Sequence, residues 1–126
     1  LANELVLRNI ASLSAGQGLL IVRDGTPHPQ ALQVLESGRI PRGEAAAPRM
    51  VRPPERVQRE LLSQWLTDGR RALAELLALD ADALAPSELK IPHQLLGPLD
   101  LPQWTRFGVV HTRHHLAIVE EVLEAP

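Results

Sequence analysis

Apolar residues recur at helical spacing in separate stretches of the chain, and prolines break the pattern between them. The eleven prolines fall at 27, 29, 41, 48, 53, 54, 86, 92, 98, 102 and 126, so long helices have room only in 1–26, 55–85 and 103–125. Residues 1–15 read as a helix with Leu1, Leu5, Val6, Ile10 and Leu13 on one side. Glu4 and Arg8 form an i,i+4 pair on its polar flank. Gly16 and Gly18 end or loosen it; the apolar run Leu19-Leu20-Ile21-Val22 suits a strand by composition, but the expectation is a helix continued after a kink. Pro29 to Ser37 reads as a short helix through Leu32, Val34 and Leu35, and residues 38–54 as an exposed connection. Pro53 and Pro54 open a long helix, with Glu55 in its first turn. Its expected buried side holds Val57, Leu61, Leu62, Trp65, Leu66, Leu73, Leu76 and Leu77. Gly69 in its middle costs roughly 1 kcal/mol against Ala, which close contact with a neighbouring helix would explain. Residues 80–99 read as a second connection, with Asp80 and Asp82 as solubilising charge. The last helix has a marked start: Asp100 as N-cap, Pro102 in the first turn, and Gln103 where a capping-box partner belongs. It should run to about Ala125. The pattern predicts an all-α chain, a helical bundle with antiparallel neighbours where connections are short.

The last helix also carries the chemistry. Trp104, Phe107, His111, His115, Ile118 and Val122 are spaced 3, 4, 4, 3 and 4 apart, which puts them on one helical face. Histidines at i and i+4 can aim two nitrogens at one point, so His111 and His115 are candidate ligands for Zn²⁺, Ni²⁺ or Fe²⁺, with zinc or nickel preferred. His114 lies about 60° off the centre of the stripe, against about 40° for His115, at ~100° per residue. It is a candidate second-shell group or a solvent-facing ring. The competing reading is a set of solvated or hydrogen-bonded histidines. Two ligands do not hold a metal tightly, so a third must come from another element. His28, between two prolines, reads as a loop residue, and Trp65 and Trp104 as core. Glu4 is either a base or supporting group at the site, or simply the partner of Arg8.

Composition narrows the field. A length of 126 residues suits one compact domain, and 44% hydrophobic residues are enough to fold it. A core of Leu, Ala and Val with two Trp, one Phe and no Tyr favours helix. The net charge of −2 comes with no basic run and no aromatic platform, which argues against a nucleic-acid partner. Cysteine is absent, excluding disulfides, thiolate zinc sites and Cys nucleophiles, and fitting a cytoplasmic setting. No 18-residue apolar run indicates a membrane partner. There is no phosphate loop, no Gly-x-Ser-x-Gly and no convincing carboxylate pair. The chain is already in a helical pattern at Leu1, and the natural protein is expected to begin upstream.

The run Pro92-His93-Gln94-Leu95-Leu96-Gly97-Pro98-Leu99-Asp100-Leu101-Pro102-Gln103-Trp104, followed by His111-Thr112-Arg113-His114-His115-Leu116, resembles the DinB/YfiT-like superfamily of metal-dependent enzymes. Members often carry a His-Pro-x-x-Gly-Pro-Leu-like loop, a Trp near the helix start, and His-x-x-x-His followed by Leu. The segment Arg42-Gly43-Glu44-Ala45-Ala46-Ala47-Pro48-Arg49 is similar to the family's middle connection. The resemblance implies a four-helix bundle, here lacking part of its first helix, with a divalent metal held by three histidines. Two carry over to His111 and His115. The third would sit just before Leu1 and is not in this sequence. Ile118 and Val119 stand where the family usually has Gln or Arg. His93 matches the loop position and should order the connection rather than ligate. Some relatives are S-transferases or isomerases that use a low-molecular-weight thiol, since a bound cation lowers the pKa of a coordinated thiol. The open position could equally activate water for hydrolysis.

The expectation is therefore a metal-dependent transferase or hydrolase acting on a small molecule, its selectivity set by residues 16–54 and 80–99. The alternative is a non-catalytic binding or dimerising module with a degenerate metal site, for which a homodimer is the natural partner. A third reading uses the Leu-rich faces of 1–15 and 55–79 to hold another protein.

Overall fold

In the computed structural model, which describes residues 2–43, 46–78 and 87–126, four helices and one small hairpin follow in the order α1 (Ala2–Ala15), α2 (Pro29–Ser37), α3 (Arg59–Leu77), β1 (Ile91–His93), β2 (Gly97–Leu99) and α4 (Leu101–Glu124). Expectations on Leu1, Asp80, Asp82 and the side chains of Leu76 and Leu77 fall outside the described residues. No described helix is long and apolar enough to cross a membrane.

The core joins α1, α2, the hairpin and the first half of α4. Val6, Ile10 and Leu13 of α1 meet Leu101, Trp104, Phe107 and Val110 of α4, with Ala31, Val34 and Leu35 of α2 and Ile91, Leu96 and Leu99 of the hairpin. Two helices at such close quarters need a small residue at their crossing. That residue is Gly108, where a Cβ would stand 3.0 Å from Val6 Cγ1. The expectation of a close neighbour at Gly69 is corrected, since a Cβ there would meet nothing within 4 Å among the described residues.

The helix ends follow local chemistry. Gly16 at φ +66° closes α1, with its N–H donating to the Leu13 carbonyl and the N–H of Gln17 to that of Ser12. This paired bonding satisfies carbonyls that the helix leaves open. The chain then stays non-helical, so the kinked continuation is corrected. Val22 exchanges both backbone hydrogen bonds with Lys90, at 2.8 and 2.9 Å. The short helix from Pro29 to Ser37 forms as expected, ending at Gly38.

The chain is mostly helical, as expected, and one small hairpin is added to the helices. Ile91 pairs with Leu99, Pro92 with Pro98 and His93 with Gly97. The two prolines face each other, so neither removes a donor that the flanking pairs need. Ile91 and Leu99 are buried beneath them. Gly97 has φ +75°, and the ring of His28 lies against it, 2.9 Å from where a Cβ would be. That space admits only glycine.

The long helix is also corrected. It starts at Arg59, not at Pro53 and Pro54, after a single 3-10 turn at Arg49–Val51. Its anticipated buried side is largely exposed: Leu61, Leu62, Leu66 and Leu73 are open to solvent and Trp65 and Val57 are half-buried. An amphipathic stripe records which face is apolar, not whether a neighbour covers it. Here α3 packs on α1 alone among the principal helix pairs.

Candidate metal centre

The site begins where α4 begins. The Asp100 carboxylate accepts the Gln103 N–H at 2.9 Å, and the Gln103 side chain accepts the Asp100 N–H at 2.9 Å. This reciprocal cap, with Pro102 in the first turn, fixes the rotation of the helix. Trp104 then points into the core and donates its indole N–H to the Ile91 carbonyl at 3.0 Å. Phe107 and His111 follow on the same face.

A continuous row of rings results. His93 lies 4.7 Å from Phe107 and 5.5 Å from Trp104 between ring centroids. Phe107 lies 5.4 Å from His111, and His111 lies 4.5 Å from His115. His114 touches the end of the row, 5.3 Å from His115.

The bonds of each imidazole decide its role. His93 Nδ1 accepts the backbone N–H groups of Leu95 and Leu96, both at 3.2 Å. It orders the turn of the hairpin and spends the Nδ1 lone pair doing so. Burial pushes its pKa down to about 4. His28 is more than a loop residue, which corrects that expectation. Its Nδ1 donates to the Leu95 carbonyl at 2.9 Å, and its backbone N–H donates to that of Leu96.

His111 is half-buried, and its Nδ1 lies 2.9 Å from Asn3 Oδ1. An amide oxygen only accepts, so Nδ1 carries the proton and Nε2 carries the lone pair. That Nε2 is 3.2 Å from His115 Nε2. Burial, with smaller contributions from His115, His114 and His93, lowers the His111 pKa to about 4. The ring is neutral at pH 7, the form that ligates metals.

A separation of 3.2 Å suits two nitrogens sharing one ion. Zinc–nitrogen bonds of about 2.05 Å at a tetrahedral angle put the nitrogens ~3.3 Å apart. The same distance serves a direct N–H···N hydrogen bond, with His115 as donor.

The expected orientation of His115 is corrected. His115 was expected to face inward and is exposed, because α4 outruns its packing partners after His111. His114 is half-buried; burial, His115 and Arg42 together depress its pKa. Glu4 accepts from Arg8 at 2.6 Å, the i,i+4 pairing expected of it, and lines an open cleft of about 780 Å³ between α1 and α3, together with Asp68, Arg71 and Glu75. The α1 side chain that reaches His111 is its neighbour Asn3, which the sequence reading missed. Nothing in a single sequence links residues 3 and 111. The available hint was a polar residue in the first turn of an apolar helix. Among the described residues, no group of three His, Cys, Asp or Glu side chains converges on one point. Compared with protein families, curated proteins and solved structures, the chain finds no match.

Proposed function

We propose that this chain is a DinB-like helical protein that binds a divalent cation, zinc or nickel, through His111 and His115 and acts on a small molecule as a transferase or hydrolase. One observation carries the reading: two Nε2 atoms 3.2 Å apart, one of them held unprotonated. A cation bound there would lower the pKa of a thiol or water brought to it, the chemistry of a thiol-dependent S-transferase or a hydrolase. The chain's own contribution is positional. His111 and His115 present the donors, Phe107 packs against one side of His111, and Asn3 supports His111. Two imidazoles leave the remaining coordination positions to a third donor and to substrate.

The test is metal analysis of the purified chain, followed by zinc titration. Zinc or nickel should copurify, and His111→Ala and His115→Ala should each abolish it. Stoichiometric metal retained in both variants would end the reading.

A second reading is favoured by a separate observation. Leu116, Val119, Val122 and Leu123 of α4 are exposed, as are Leu61, Leu62, Leu66 and Leu73 of α3. A non-catalytic binding or dimerising module with a degenerate metal site would cover such faces. Light scattering over a concentration series separates the two, since a monomer at all concentrations counts against dimerisation.

A further inference from the structure

We infer that Asn3 is the positioning residue of the histidine pair, setting the tautomer of His111 so that its lone pair faces His115. The functional consequence, though not the tautomer itself, rests on the metal-binding reading above. An Asn side chain has one accepting end and one donating end. The donating end is engaged: Asn3 Nδ2 donates to Thr112 Oγ1 at 3.3 Å. The accepting end is thereby turned to His111 Nδ1, at 2.9 Å. With Oδ1 facing it, His111 holds its proton on Nδ1.

The choice matters because the neutral ring of a free histidine side chain prefers its proton on Nε2. With that proton, His111 would present a donor to His115 and to any cation, and the pair could not converge. Asn3 reverses the preference. It acts across 108 positions of sequence, so the contact also ties the first turn of α1 to the middle of α4. Thr112 follows His111 directly in the chain. One helix thus supplies both the ring to be oriented and the hydroxyl that orients the orienting amide. Hydrogen bonds of this kind to a ligating imidazole typically change metal affinity by about 10–100-fold.

The experiment uses the whole chain, with histidines labelled with ¹⁵N, and two variants. Asn3→Leu keeps the shape and removes the acceptor; Asn3→Asp keeps the acceptor. Asn3 is exposed, so both variants should fold, as far-UV circular dichroism will verify. Long-range ¹H–¹⁵N correlation of the metal-free proteins near neutral pH reads the tautomer directly. Competition between protein and a chelator for Zn²⁺ reads the affinity. The parent chain should show His111 protonated on Nδ1, Asn3→Leu should move the proton to Nε2, and Asn3→Asp should restore it. Zinc affinity should fall about 10–100-fold in Asn3→Leu and return in Asn3→Asp. A His111 tautomer unchanged in Asn3→Leu, or a shifted tautomer with unchanged zinc affinity, would overturn the inference. If the tautomers respond as expected but the parent chain binds no zinc, the role of Asn3 stands and the metal reading falls.

Discussion

Acid should loosen this protein through His93. The ring sits against Trp104 and Phe107, and its Nδ1 accepts the N–H groups of Leu95 and Leu96. Burial lowers its pKa from 6.5 to about 4, and protonation of Nδ1 would also turn its acceptor into a donor facing two donors. Between these two values the unfolded chain binds a proton that the folded chain refuses, so stability rises with pH across that window and is lost as pH falls through it. A displacement of this size corresponds to about 3.4 kcal/mol at the limit. Solvent reaches part of the ring, and screening brings the expected loss to about 1–2 kcal/mol. Urea denaturation monitored by circular dichroism at pH 7, 6, 5 and 4 measures it. His93→Asn removes the titration while keeping a side-chain oxygen for the turn. The difference in pH dependence between parent and variant isolates His93 from His111, which titrates in the same window. Equal slopes in the two proteins, or an NMR titration placing His93 at or above 6.5, would refute the reasoning.

Two glycines should respond in opposite ways. Gly69→Ala meets open space in the middle of α3 and should stabilise by about 1 kcal/mol in thermal or urea unfolding. Gly108→Ala gains the same propensity but presses on the buried, β-branched Val6, whose rotamer cannot yield, and should show no gain or a net loss. Trp104→Phe should cost about 1–3 kcal/mol, since it leaves the Ile91 carbonyl without its indole donor in a buried setting. The same denaturation series reads this, and its expected companion is weaker amide protection in the hairpin.

The parts of the fold that sequence reveals are those written in local chemistry. Asp100, Pro102 and Gln103 announce the start of α4 because a cap needs only neighbours along the chain. Pro29 and Gly38 bracket α2 for the same reason. The hairpin is hidden because Pro92 and Pro98 argue against strands everywhere except opposite each other. Val22 pairs with a residue far along the chain, and no local signal marks that bridge. Gly69 and Gly108 look alike in sequence, and only packing shows which one lies at a crossing. The ring row was legible because Trp104, Phe107, His111 and His115 share one helix, whose periodicity sets their common direction. Periodicity does not say where the partners of that helix stop, so the exposure of His115 was not legible. Asn3 was hidden because its contact exists only once α1 has docked.

The boundary between the packed and overhanging portions of α4 runs between the two rings. From His115 onward only Ile118 is even half-covered, and Arg42 clasps Glu121 with two contacts of 2.7 Å. Unwinding of the last turns is thus a local event that leaves Ile10, Leu99 and Trp104 in place. Such unwinding would carry His115 away while His111 stays bonded to Asn3 of α1. Any ligand that grips both nitrogens must find the overhang wound, and its apparent affinity is the intrinsic one scaled by the wound fraction. Removing the Arg42–Glu121 clasp, less than two turns beyond the second ring, would therefore change how often the two rings stand side by side.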